Sequence, residues 1–409
     1  MTYLRIGLRI LTPCMMALPL LAQTRIGGGA CNSASLNGNY AVSITGRQVT
    51  AAGTFTNIFQ ATGFANFDGL SKFTLTAAAD TLLSVGAPLT WSGTYSVQAN
   101  CAGVANVTSG GSATLNLVVY NQGSDLLVTG SDPTYYYTGS GNTQPATCST
   151  ALLSGSYAYN GTGYGTTGTA VNGVANGAGL LQFDGQGKVT ANVTMWSGAT
   201  ASNLVTASGS YSVSSNCLGS ATLTDSKANN YVMGLSVTSG NATATTDLMA
   251  TFAQASKFTI DGSAHTVTAD TCSASFLSGT YSLNLGGRAI SAAGSFAGSY
   301  QGNGMATFDG QGNVTMTGTN NTNQAAGKAF TYSGTYNLPS NCSGTMTFAG
   351  ASPANFNLVV WSSGKQFNII GADASYVYSG GGGIARPVAC AAPERTNCGW
   401  ASMRFTPWP

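Results

Sequence analysis

Apolar and polar residues alternate one by one along much of the chain. Tyr40, Val42 and Ile44 alternate with Ala41, Ser43 and Thr45, and Tyr281, Leu283 and Leu285 repeat the pattern later. Val189, Ala191, Val193 and Met195 alternate in the same way with Thr190, Asn192 and Thr194. A period of two places one apolar and one wet face on a strand, which is the signature of antiparallel sheet. An Asp-Gly pair follows a strand-ending Phe at Phe67-Asp68-Gly69, Phe183-Asp184-Gly185 and Phe308-Asp309-Gly310, and a further strand follows each, so these are hairpin turns.

Those turns belong to a larger repeat. Three segments open alike, with Cys31, Leu36, Gly38 and Tyr40, then Cys148, Leu153, Gly155 and Tyr157, then Cys272, Leu277, Gly279 and Tyr281. Each later reaches a strand ending at a second cysteine: Ser92-Gly93-Thr94-Tyr95 to Asn100-Cys101, Ser208-Gly209-Ser210-Tyr211 to Asn216-Cys217, and Ser333-Gly334-Thr335-Tyr336 to Asn341-Cys342. The opening cysteines stand 117 and 124 residues apart, a period far longer than that of a solenoid repeat. The units are therefore tandem domains, at 31–147, 148–271 and 272–389. Unit 2 is the longer and its late hairpins diverge most from the others. Each unit accommodates about eight strands joined by Gly-containing turns, and a meander of that size must close or stack to hide its edges. The fold class expected is all-β, three tandem antiparallel eight-stranded barrels, with two-sheet β-sandwiches as the alternative.

The ordered markers Cys-x4-Leu-x-Gly-x-Tyr, Phe-Asp-Gly-x-Gly and Ser-Gly-Thr-Tyr-x-Val-x-x-Asn-Cys-x-Gly resemble secreted repeat proteins of soil bacteria of the acidobacterial type. Their units look similar to the allene-oxide-cyclase-like, calycin-type barrel. The resemblance covers residues 31 to about 380 and implies a fold and an exported location, with no established activity. Unit 1 departs from the turn motif, with Leu70-Ser71 where the others have Gln-Gly.

Composition adds the setting. Only 6% of the 409 residues are charged while 43% are apolar, so a core is affordable and the surface must be Ser, Thr, Asn and Gly. Residues 1–22 read as a secretory signal, with Arg5 and Arg9 before the apolar stretch Ile10 to Ala22. A linker follows at 23–30. A lipid anchor at Cys31, after Gly28-Gly29-Ala30, lacks the usual leucine. Without the signal, twelve basic residues balance twelve acidic ones, which excludes steering toward nucleic acid or an anionic membrane. No later apolar run is long enough for a transmembrane helix. Paired cysteines and the ending Thr406-Pro407-Trp408-Pro409 argue against a membrane-embedded barrel.

Cys14 lies in the signal, leaving an even set in an exported chain, which favours disulfides. One scheme pairs Cys31–Cys101, Cys148–Cys217 and Cys272–Cys342, with Cys390–Cys398 in a tail at 390–409. A second joins each middle cysteine to the next opening one and strands Cys31 and Cys398. Near-constant spacing favours the first.

Candidate chemistry is sparse. His265 is the single histidine, so any Ser-His-Asp or Cys-His mechanism depends on it, and units 1 and 3 have no counterpart. Asp68, Asp184 and Asp309 could suggest calcium loops, but no second acid follows within each loop. Asp125, Asp132 and Asp373 are scattered through late loops. Tyr135-Tyr136-Tyr137, Tyr376 and Tyr378 are candidates for glycan stacking, against a reading as barrel core and rim. Asn106, Asn192 and Asn313 head Asn-x-Thr sequons, and Gly27–Gly29 and Gly380–Gly383 read as flexible linkers. No catalytic, cofactor-binding or metal-binding residue is predicted. The expectation is a secreted or cell-surface structural or adhesion-type protein. Its partner would be an extracellular polymer. The alternative is a binder of a glycan or small apolar ligand, with an isomerase-type enzyme, by fold analogy only, third.

Overall fold

A computed structural model describes residues 30–385, except 50–54, 82–83, 168–169, 198–199, 240–245, 269–270, 291–295, 323–324, 350–352 and 374. The signal at 1–22, nearly all of the 23–30 linker and the proposed Cys390–Cys398 pair lie outside the described residues.

Among the described residues the alternating segments form twenty-four strands in three closed antiparallel barrels of eight, each strand paired with its chain neighbours. Barrel 1 comprises β1 (Asn37–Val49), β2 (Phe55–Asp68), β3 (Lys72–Thr81), β4 (Ala87–Val97), β5 (Ala102–Ser109), β6 (Thr114–Tyr120), β7 (Asp125–Ser131) and β8 (Tyr136–Thr143). Barrel 2 comprises β9 (Ser154–Thr167), β10 (Ala170–Asp184), β11 (Lys188–Ser197), β12 (Thr200–Val213), β13 (Leu218–Asp225), β14 (Asn230–Ser239), β15 (Thr246–Gln254) and β16 (Phe258–Thr266). Barrel 3 comprises β17 (Ser278–Ile290), β18 (Phe296–Asp309), β19 (Asn313–Thr322), β20 (Lys328–Asn337), β21 (Ser343–Phe348), β22 (Ala354–Trp361), β23 (Gln366–Ala372) and β24 (Tyr376–Ile384). Closure comes from β1 on β8, β9 on β16 and β17 on β24, so the barrel, and not the sandwich, is the architecture.

Closure hides the sheet edges and turns the main apolar face of the strands inward. Side chains fill each interior, with Tyr40, Phe67, Phe73, Trp91 and Tyr95 prominent in barrel 1, and Tyr157, Tyr159, Phe183 and Phe252 in barrel 2. Tyr281, Phe308, Tyr336 and Phe367 do the same in barrel 3. The apolar-ligand reading therefore meets interiors already occupied by the protein's own rings.

The repeated markers lock one end of each barrel. Disulfides join Cys31–Cys101, Cys148–Cys217 and Cys272–Cys342, bracketing one-turn helices at Ser33–Ser35, Thr150–Leu152 and Ala274–Phe276. The second cysteine of each pair has a left-handed backbone, with φ of 67° at Cys101, 65° at Cys217 and 64° at Cys342. The preceding asparagine supports that turn. Oδ1 of Asn100, Asn216 and Asn341 accepts the N–H of Ala102, Leu218 and Ser343 at 3.1–3.2 Å. Tyr95, Tyr211 and Tyr336 point a hydroxyl at the carbonyls of Leu36, Leu153 and Leu277, at 2.8, 2.7 and 3.0 Å.

One expectation is corrected. Gly380–Gly383 is not a linker; it lies inside β24. A Cβ on Gly382 would stand 2.2 Å from the Ser282 carbonyl and 2.7 Å from the Phe367 ring, and one on Gly380 would stand 2.3 Å from the Asn284 carbonyl. Glycine is used there because the neighbouring strand and a core ring come too close for any side chain.

Candidate functional site

The repeated aspartates are turn residues. Asp68 Oδ1 accepts the N–H groups of Leu70, Ser71 and Lys72; Asp184 takes those of Gln186 and Lys188, and Asp309 those of Gln311 and Asn313. The glycine after each is left-handed, with φ of 73°, 74° and 76°. Hydrogen bonds, chiefly from Lys72 and Lys188 N–H and the Asn313 amide, hold all three carboxyls below their ordinary range.

Asp125, Asp132 and Asp373 are not brought together. Asp125 accepts from Asn121 and Asn142. Asp132 and Asp373 occupy equivalent rims of barrels 1 and 3, where they accept from Tyr137 and Tyr378 and from the backbone of Tyr135 and Tyr376. Burial first, and then this hydrogen bond to Asp132 or Asp373, raises Tyr137 and Tyr378 far above the usual phenol range. Tyr137 and Tyr378 are core residues, Tyr135 and Tyr376 are half-buried, and Tyr136 is 66% exposed. The tyrosines thus divide between barrel core, rim and solvent.

His265 does acquire partners of the catalytic type. Its Nδ1 is 3.0 Å from Asp247 Oδ2 and its Nε2 is 3.1 Å from Ser263 Oγ, while its ring stacks on Trp361 of barrel 3 at 3.9 Å. A serine nucleophile also needs donors for the developing oxyanion. Ser263 lies in the middle of β16, paired on one side with Asn160 of β9 and on the other with Met249 of β15, where strand N–H groups are committed to the ladders. The group is a contact between barrels 2 and 3. Nearby, Ala158, Ala178 and Leu180 pack against Val359 and Ile370 of barrel 3.

Barrel 2 therefore presents a buried outer face to each neighbour, and its face toward barrel 1 is polar. Ser43, Gln60, Thr62 and Asp80 of barrel 1 meet Thr162, Ser236, Thr259 and Asp261 of barrel 2. Gln60 Nε2 donates to the Thr162 carbonyl at 3.2 Å, Ser236 Oγ donates to the Gly63 carbonyl at 2.6 Å, and Gln144 Nε2 donates to Ser236 Oγ at 3.1 Å. Asp261 accepts from Ser43 and, at 3.2 Å, from Thr62. Burial above all pushes Asp261 up to about 7; the two hydroxyls oppose this and the charge of Asp80 adds to it. Asp80 is raised too, by burial, against a hydrogen bond from the Gly86 N–H.

At the edge of this seam one repeat position converges from all three units. Arg47, Tyr164 and Arg288 each stand seven residues after the first-strand tyrosine, and the guanidiniums of Arg47 and Arg288 lie 5.5 and 5.2 Å from the centre of the Tyr164 ring. Burial lowers the Arg288 pKa, the like charge of Arg47 adds to that, and Tyr164 opposes it. A cleft of about 40 Å³, lined by Thr162, Asn176, Arg288 and Gln301, opens beside them, room for a few waters. Sequence reasoning missed these residues because polar side chains in strands look like solvent-facing ones. Overlaying the repeats position by position exposes Arg47, Tyr164 and Arg288 as a set.

Among the described residues no three His, Cys, Asp or Glu side chains gather to hold a metal ion, and no helix is long and apolar enough to cross a membrane.

No protein-family model matches the chain, and no curated protein matches it. Among solved structures it is similar to isotype 1 transferrin binding protein B from serogroup B Neisseria meningitidis. The identity there is 11%, coverage is 85% of this chain and 77% of that one, and the TM-score is 0.24. A mutant of the vaccine antigen transferrin binding protein B from Haemophilus parasuis Hp5 matches at 8% identity, 84% and 75% coverage and a TM-score of 0.21. Superpositions this loose carry no inference for this chain.

Proposed function

We propose that the chain is an exported, non-catalytic binding protein whose three barrels each offer a face rich in hydroxyl and amide groups to a neutral extracellular polysaccharide. The observation that carries this reading is a repeated exposed rank across the outer sheet. In barrel 1 it runs Thr94, Asn106, Thr114, with the exposed Lys72 beside Thr94; in barrel 2, Ser210, Thr222, with the exposed Lys188 beside Ser210; in barrel 3, Thr335, Thr347, Asn355. Strand neighbours stand about 4.8 Å apart, so each rank is a row of donors and acceptors at fixed spacing. Three similar faces on one chain favour a repeating partner, because linked weak sites gain by avidity.

Export is supported by the three disulfides, which persist in oxidising compartments. The signal at 1–22, domain limits at 147/148 and 271/272, and the tail at 390–409 belong to the same proposal. The resemblance to acidobacterial-type secreted repeat proteins with calycin-type units accords with it. A glycan array probed with the full chain tests the reading: signal on neutral polysaccharides is expected, and background binding throughout would overturn it.

A further inference from the structure

The seam between barrels 1 and 2 buries two carboxyl groups, with Asp80 of β3 only 2% exposed and Asp261 of β16 only 6%. Counting hydrogens identifies what they need. Thr259 Oγ1 stands 2.7 Å from Gln60 Oε1 and 3.1 Å from Asp80 Oδ2. A hydroxyl has one hydrogen, and an amide oxygen and an ionised carboxylate can only accept. The orientation of Gln60 follows from its Nε2 donating to the Thr162 carbonyl, which leaves Oε1 toward Thr259. Thr259 thus has two acceptors and one hydrogen to give. If Asp80 carries a proton, the chain runs in one direction from Asp80 to Thr259 to Gln60 to the Thr162 carbonyl, and no two acceptors face each other without a hydrogen between them.

The charged and titratable groups around the pair come from few elements. Asp80 is supplied by β3, Asp261 by β16, and Tyr159 by β9 from inside barrel 2, where the charge of Asp261 raises its hydroxyl further after burial. Arg47, at the end of β1, lies over the Tyr164 ring. The residues facing the seam from β2, β14 and β15 are the neutral Gln60, Thr62, Ser236 and Thr251, all buried.

We propose that this seam is a proton-dependent dock, in which closing barrel 1 onto barrel 2 holds a proton on the Asp80–Asp261 pair and alkaline solution loosens the contact. The charge of Asp80 adds to burial in disfavouring an ionised Asp261. Burial raises both, so the closed state binds protons that the open state releases, and closure weakens as pH rises from the ordinary carboxylate range to about 7.

The test is hydrogen exchange of the full chain at about pH 5 and about pH 8, corrected for intrinsic rates, with small-angle scattering on the same samples. Protection of β1, β2 and β16 should fall by at least about tenfold at the higher pH, and the particle should lengthen, while β19 to β21 in barrel 3 stay unchanged. The Asp80→Asn/Asp261→Asn double variant should keep the acid-side protection at both pH values, with single Asp80→Asn giving a smaller pH response. Equal or greater wild-type protection at the higher pH would overturn the proposal, as would a full pH response in the double variant. Restoration of wild-type protection by millimolar calcium at the higher pH would also overturn it, assigning the pair to a cation. If the double variant does not fold, the wild-type profile and the single variant decide.

Discussion

Tyr211 and its equivalents Tyr95 and Tyr336 show how one side chain can serve the same purpose three times. Each ring packs edge-on against the Phe of the Phe-Asp-Gly marker, Phe183 for Tyr211 at 4.8 Å, and each hydroxyl ties the barrel end to its one-turn helix. Tyr211→Phe keeps the packing and loses the hydrogen bond, so a loss of about 1 kcal/mol is expected in denaturant unfolding; unchanged stability would remove the hydroxyl from the account. Carboxyls at two kinds of site give opposite pH signs. The folded pKa values of Asp68, Asp184 and Asp309 lie below the ordinary 3.8, so their contribution is present above that value and is lost as pH falls through the folded values. Asp261 is raised to about 7, so its contribution is complete below about 4 and is lost as pH rises toward 7. Melting temperature against pH should therefore peak in the mildly acidic range, and Asp261→Asn should make the alkaline fall shallower, leaving the part due to Asp80, while the acid side is unchanged. A monotonic rise to pH 8 would contradict this. The turn aspartates were legible in the sequence because Asp-Gly after a strand carries its own backbone logic. Asp80 and Asp261 were not, because their burial depends on a second barrel.

At the scale of elements, the disulfide and the closing strand do separate work. Cys272–Cys342 ties the start of barrel 3 to its middle across 70 residues, and replacing both by alanine should cost about 2–5 kcal/mol, read as earlier melting of that barrel. Loss of all three barrels together would instead mean one cooperative unit. Gly382 lets β24 lie against β17 and the Phe367 ring. Gly382→Val should cost at least about 1–3 kcal/mol, with faster exchange in β17, β23 and β24 and none in barrel 1. Exchange rates equal to wild type in those strands would show that the sheet yields without cost. The strand pattern and the three within-barrel cysteine pairs could be read from period and spacing. The glycine run was misread because four glycines have the composition of a linker while the reason for them is steric. Gly139 and Gly141 of β8, at the equivalent positions of unit 1, were the available signal.

For the whole molecule, the sequence announced three repeats but not their arrangement, since which outward polar residues meet a neighbouring barrel is decided only when the barrels pack. Barrel 2 is the hub: its outer face carries the Asp261 seam on one side, the His265–Trp361 stack on the other, and Tyr164 between Arg47 and Arg288. Outward ranks left free of those contacts are the polar rows assigned to polysaccharide. The most direct test is pull-down of the full chain on insoluble neutral polysaccharides, with Thr94→Lys, Ser210→Lys and Thr335→Lys introduced singly and together. These residues are exposed and equivalent in the three units. Binding by the wild type, about tenfold weaker with one face altered and lost with all three, is the predicted result. No wild-type binding, or binding that survives all three substitutions, would contradict it.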